Sequence, residues 1–206
     1  DCVAHCVAGC LAAPCASCCG CKWAYESCVG SGPRWNSFRD LPKRRGRKPV
    51  VCVAGLASSA LQAKSGVFGR YTVKYCSIEA LTYEPLSTLA ALKLRLVSGT
   101  LRDGTRVAST ACAEGVQVQP VYGTAGIRTL NPGEKIPISV WSGLLDDLAP
   151  ELNFHALGYD WRRWGDLVYA EELVEGFRCR LEAAACRDAQ PAAIIAHSMG
   201  AAVVLY

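Results

Sequence analysis

Long apolar runs are missing from this sequence. No stretch reaches the roughly 18 consecutive apolar residues that a bilayer-spanning helix requires, so no such segment is expected. Charge is also sparse. Only 19% of residues are charged against 51% hydrophobic, and this excludes a solvated disordered chain. The 206 residues are enough for one domain with a sizeable core. The net charge of +4 is mild, and no nucleic-acid partner is expected from it. Methionine is almost absent: Met199 is the only one, and the sequence opens on Asp1. A natural translation product starts with Met unless processed, so an upstream piece or a removed leader is expected, and any signal peptide is hidden with it.

Cysteine, by contrast, is abundant and unevenly placed. Of 13 cysteines, Cys2, Cys6, Cys10, Cys15, Cys18, Cys19, Cys21 and Cys28 crowd the first residues. Cys15, Cys18 and Cys21 form two overlapping CxxC spacings, half of a zinc pattern, but no spaced partner pair follows. A disulfide knot, a thiolate metal site and an unconstrained Cys/Ala-rich leader therefore all stay open. Next comes a basic run of Lys43, Arg44, Arg45, Arg47 and Lys48. Such a run suits anionic lipid headgroups, a nuclear or nucleic-acid address, or a solvated linker. Residues 1–48 read as a poorly ordered preamble, and 49–206 as the folded domain.

Within that domain, Val50 to Ala54 is a β-branched run stopped by Gly55, which predicts a strand buried on both faces. Residues 56–64 read as a small-residue loop. Thr82 to Leu96 carries leucines compatible with a helix, and Val116 to Gln119 alternates like a half-buried strand before Pro120. Ser139 to Leu148 reads as a helix ended by Pro150. Leu152 to Leu157 alternates at period two, a strand closed by Gly158. From an N-cap at Asp166, apolar residues recur every three or four positions through Ala184, one face of a helix of about twenty residues. After Pro191, Ala192 to Ala196 is a short apolar strand. Strands alternating with helices predict an α/β fold with a mostly parallel sheet.

The last strand runs into Ala196-His197-Ser198-Met199-Gly200 and then an apolar helix start. A small residue two before and two after a serine, between strand and helix, is the pattern of a nucleophile elbow. The turn is so tight that only small residues, Ala196 and Gly200 here, leave room for the neighbouring chains. It would present Ser198 Oγ at the C-terminal edge of the sheet, where ligands of α/β folds bind. The Met199 N–H, at the helix start, would face a developing oxyanion. A second donor must come from a loop after an earlier strand, and the backbone of Ala57, or of neighbouring Leu56, is the candidate.

Four islands of the sequence, in order, resemble the lecithin:cholesterol acyltransferase-like family of the α/β-hydrolase superfamily. Gly55 to Lys64 is similar to its small-residue loop ending in Leu-x-Ala-Lys. Gly115-Val-Gln-Val-Gln-Pro-Val-Tyr-Gly123 resembles a second family stretch, with one of two late glycines missing. Tyr159-Asp160-Trp161-Arg162 is similar to the family's most specific motif, and Ile194 to Gly200 to its elbow. The family's lid loop, closed by two cysteines, has no clear counterpart, although Cys76 and Cys112 flank that region.

The resemblance implies serine-dependent acyl transfer without a cofactor. Ser198 would take a fatty acyl group from a phospholipid-like donor and pass it to a sterol or other alcohol, with water as the alternative acceptor. It also implies that Asp160 and Arg162 form a structural ion pair beside the site and that Trp161 serves packing. The loop at Ser58 to Lys64 is closer to the cholesterol-acyltransferase and lysosomal-phospholipase branch than to the phospholipid:diacylglycerol branch. Peripheral membrane contact, and an endomembrane or secreted location, are favoured by such substrates.

In this fold the acid and the histidine of the triad follow the serine in the chain. Neither residue type occurs after Ser198, and His197 is expected to point away from its neighbour's Oγ. The chain is therefore expected to be the N-terminal half of an α/β-hydrolase fold, ending after the elbow. By itself it is expected to be inactive or to persist as a non-catalytic remnant.

Overall fold

The computed structural model describes residues 46–65, 69–73, 75, 82–83, 85–132, 135 and 137–206. The cysteine-rich segment, Lys43 to Arg45 and Cys76 lie outside the described residues, as do the readings placed on them.

A run of β-branched residues has nowhere stable to go except between other strands, and strand β1 (Lys48–Val53) occupies that position. It pairs in parallel with β7 (Leu152–Leu157) on one side and β8 (Ala193–Ala196) on the other, giving the order β7-β1-β8. Val51 faces His155 across one register and Ile194 across the other. The period of two along β1 sends Val51 and Val53 to one face and Val50, Cys52 and Ala54 to the other. Each face has its own core. On the first, Leu157, Tyr159, Tyr169, Leu173, Phe177 and Val203 pack together. On the second, Ile127, Trp141, Leu145, Phe154 and Ala156 do so. Two apolar faces covered by helices make an α/β arrangement around a parallel sheet, as the alternation of strand and helix patterns predicts.

The remaining strands form two smaller antiparallel units. One has β2 (Leu61–Ser65) between β3 (Thr72–Val73) and β6 (Val116–Pro120); the other is a hairpin of β4 (Leu94–Thr100) and β5 (Arg106–Cys112). Helices α1 (Pro85–Leu92), α2 (Ala125–Arg128), α3 (Ser142–Leu148), α4 (Leu167–Asp188) and α5 (Met199–Leu205), with a 3-10 turn at Trp161–Arg163, complete the described elements. No helix among the described residues is long and apolar enough to cross a membrane.

Three sequence readings are corrected. The helix expected through Leu96 stops at Leu92, and Leu94 onward is a strand. Its register against β5, from Leu94 opposite Cys112 to Thr100 opposite Arg106, decides the matter over local leucine spacing. The loop expected through Lys64 is extended chain from Leu61, because Leu61 to Ser65 pairs with Pro120 to Val116. The helix expected from Ser139 starts at Ser142, since Ser139 is bridged to Thr129. By contrast, the strand Leu152–Leu157 and the Asp166-capped long helix occur where the sequence placed them.

Candidate active site

At the C-terminal end of β8 the chain turns from strand to helix within two residues. His197 N–H donates to the Val53 carbonyl (3.1 Å), which extends the pairing with β1 to the last residue before the serine. Ser198 then takes φ 56° and ψ −127°. This is a region that side-chain-bearing residues rarely enter, at a cost of about 1–3 kcal/mol. Gly200 N–H bonds the His197 carbonyl at 2.9 Å, and Ala201 N–H the Ser198 carbonyl at 3.0 Å, so α5 begins at once. The Met199 N–H is one of the four amide donors that a helix start leaves without an intrahelical acceptor.

Neighbouring backbone explains the small residues. A Cβ on Gly200 would lie 2.4 Å from the Val53 oxygen and 2.6 Å from that of Ala54. A Cβ on Gly55 would lie 2.9 Å from Ser198 Cβ and 3.0 Å from the His197 oxygen. The end of β1 and the elbow are thus in van der Waals contact, and an alanine at either glycine would force the backbone apart. Ala196, the other small residue, is half-buried and packs against the first core. Ser198 itself is exposed, and so is His197.

After Gly55 the chain forms a tight turn, with Ser58 N–H bonded to the Gly55 carbonyl at 3.2 Å. Ala57, its third residue, has φ 56°, the left-handed value that a type II turn demands at that position. The peptide between Leu56 and Ala57 is outside the turn's own hydrogen bond. Ala57 and Ser198 therefore both depart from ordinary backbone geometry, and Gly55, which begins the Ala57 turn, touches Ser198.

The segment after β7 surrounds this turn. The buried Tyr159 hydroxyl donates to the Ala54 carbonyl at 2.7 Å, and burial pushes its phenol pKa upward. Trp161 Nε1 donates to the Ser59 carbonyl at 3.1 Å. Asp160 accepts from Arg162 Nε at 2.7 Å and pairs with it through Nη2 as well, both side chains being buried. Burial works against the Arg162 charge, but the Asp160 carboxylate more than offsets it and raises the guanidinium pKa. Arg162 also reaches the Ala91 carbonyl and Cys112 Sγ. Both carboxylate oxygens of Asp160 are thus engaged by Arg162.

Sequence reasoning missed the wider network behind this segment. Asp160 N–H donates to the Tyr169 hydroxyl at 2.6 Å. Asp166 accepts from Ser109 Oγ, Thr110 N–H and Thr110 Oγ1 while capping Tyr169 N–H and pairing with Arg163. Burial opposes its charge, but the bonds from Thr110 and Arg163 prevail and hold the carboxyl well below the usual range. Asp166 was legible only as an N-cap, since its hairpin partners are more than fifty residues away.

The other described histidine, His155, is buried, with Nε2 3.6 Å from Asp188 Oδ2. It resembles half of a triad but occupies the wrong level of the sheet. Through Val51 it lies opposite Ile194, four positions before Ser198, so about 13 Å of strand separates it from the elbow. Among the described residues no cluster of three or more His, Cys, Asp or Glu side chains is arranged to hold a metal ion.

No protein-family model matches the chain, and no curated protein matches it.

Proposed function

We propose that this chain carries the nucleophile of a serine-dependent O-acyltransferase of lipid metabolism, on an α/β-hydrolase-type fold. The observation that supports this reading most is the φ 56°, ψ −127° conformation of Ser198 between a parallel strand and a helix. A hydrolase elbow holds its nucleophile in such strain, at the sheet's C-terminal edge. The strand order supports it too. Nucleophile and second oxyanion donor must come from neighbouring strands, and Ser198 follows β8 while Ala57 follows β1, its direct partner.

In the proposed reaction Ser198 Oγ attacks the ester carbonyl of a phospholipid-like donor as a base takes its proton. The Met199 and Ala57 N–H groups stabilise the tetrahedral oxyanion, and the lysolipid alkoxide leaves with a proton. A sterol or other alcohol then attacks the acyl-serine and regenerates the hydroxyl. His155 is excluded as the base by its level in the sheet. His197 Nδ1 and Ser198 Cβ both border Gly55, at 3.2 and 2.9 Å from where its Cβ would lie, yet no hydrogen bond joins the two side chains, so His197 is not assigned that part. With no base positioned at Ser198 among the described residues, acylation is expected to be slow, with residual catalysis from the oxyanion donors.

A second reading, a phospholipase or esterase, is favoured by one observation: Ser198 is exposed, so water reaches it. Incubation with a phospholipid and a long-chain alcohol, followed by mass spectrometry of products, separates the two. The acyltransferase reading expects an alkyl ester that disappears in Ser198→Ala; free fatty acid alone favours the hydrolase. Product formation unaffected by Ser198→Ala sinks both.

A further inference from the structure

The turn that carries Ala57 is held at both ends by side chains of one segment. Tyr159 donates to the carbonyl just before Gly55 (2.7 Å), and Trp161 donates to the carbonyl of Ser59, two residues after Ala57 (3.1 Å). Between these anchors lies the positive-φ Ala57. The Ala54 carbonyl is also one of the two carbonyls, with that of Val53, that crowd Gly200 of the elbow. Tyr159 is completely buried. Trp161 is half-buried, with the Tyr75 ring edge-on against it at 4.5 Å between centroids. The segment is itself immobilised, since Asp160 and Arg162 pair with each other and Asp160 N–H is held by Tyr169.

We infer that Tyr159 and Trp161 are positioning residues, whose two hydrogen bonds fix the Gly55–Ser59 turn so that the Ala57 N–H is preset toward the oxyanion formed at Ser198. This rests on the reading of Ser198 as nucleophile and gives the tyrosine and tryptophan of the Tyr-Asp-Trp-Arg segment a chemical purpose beyond packing. An oxyanion donor acts only in the transition state, and losing one costs about 10²–10³ in rate. Loosening its support without removing it is expected to cost less, on the order of 10-fold per anchor.

The test uses Trp161→Phe and Tyr159→Phe, which remove one hydrogen-bond donor each and keep the ring, with the exposed Trp164→Phe as control. Two readouts are taken on the same proteins. Amide hydrogen exchange of the peptide spanning residues 55–60 reports the turn. Single-turnover acylation of Ser198 by a p-nitrophenyl ester, followed by peptide mass spectrometry, reports the chemistry. The expected result is faster exchange of the Ser58 and Ala60 amides together with an acylation rate at saturation about 10-fold lower, at unchanged half-saturating ester concentration. The control leaves both unchanged. Unaltered exchange in Trp161→Phe overturns the anchor. Faster exchange with an unchanged acylation rate overturns the positioning role and leaves only a structural one. No acylation of Ser198 in the unsubstituted chain overturns the nucleophile reading itself, and this inference with it.

Discussion

Ser198 sits at φ 56° and ψ −127°, a conformation that glycine reaches without strain. Replacing it with glycine therefore relieves about 1–3 kcal/mol of backbone strain while adding the unfolded-state entropy of a glycine, about 0.5–1 kcal/mol. We expect Ser198→Gly to be more stable by about 1 kcal/mol in urea denaturation, and to lose all acylation at this position. A destabilised glycine variant would mean that the strain is absent. At the residue scale the sequence is informative where steric demands are absolute. Gly200 marks the strand-to-helix turn because nothing larger fits against the Val53 and Ala54 carbonyls. Ala57 and Leu56 were both candidates from their place after the first strand, and the left-handed φ of Ala57 is not written in its side chain. Tyr159 and Trp161 were not legible as anchors, because their acceptors are carbonyls about a hundred residues away.

At the scale of elements, local pattern and distant pairing compete. Strand β7 and helix α4 were legible because period-two alternation and a capped three-and-four spacing leave little choice over their lengths. The leucines from Leu86 to Leu96 satisfy helix and strand alike, and only the pairing of β4 with β5 settles Leu94 onward. The Asp103-Gly104 pair between those strands is a hairpin signal that would have found them. Asp166 joins these levels: it caps α4 and holds the β4–β5 hairpin by Ser109 and Thr110. Asp166→Ala is expected to cost about 3 kcal/mol, from the lost cap and from buried donors left unsatisfied. Its carboxyl pKa is lowered in the folded protein, so its contribution is complete above the unfolded carboxylate value, about 3.9, and is lost as pH falls below it. In Asp166→Asn the acid limb of stability against pH flattens. A variant as acid-sensitive as the unsubstituted protein would contradict this.

For the molecule as a whole, the parallel sheet divides two cores. His155 is buried on the face that α4 covers, beside Asp188 near that helix's end. Burial lowers its pKa, against the opposing pull of Asp188. The unfolded chain therefore binds a proton that the folded protein resists. Stability is expected to be complete above about pH 6.5 and to decline as pH falls below it. Denaturation midpoints between about pH 7 and 5 check this: the decline shrinks in His155→Gln. Stability that rises on acidification would reverse the sign of the burial effect. This histidine also shows where sequence reading runs out for the whole chain. His155 and Asp188 form a pair that mimics catalytic machinery, and only the register of β7 on β1 reveals that it belongs to the core.

Ser198 is the proposed nucleophile, and fluorophosphonate labelling followed by peptide mass spectrometry tests that most directly. Slow labelling confined to Ser198 and absent from Ser198→Ala is the expected result. Label spread over several serines, or none on Ser198, would contradict the nucleophile assignment, and rapid stoichiometric labelling would contradict the absence of a positioned base among the described residues.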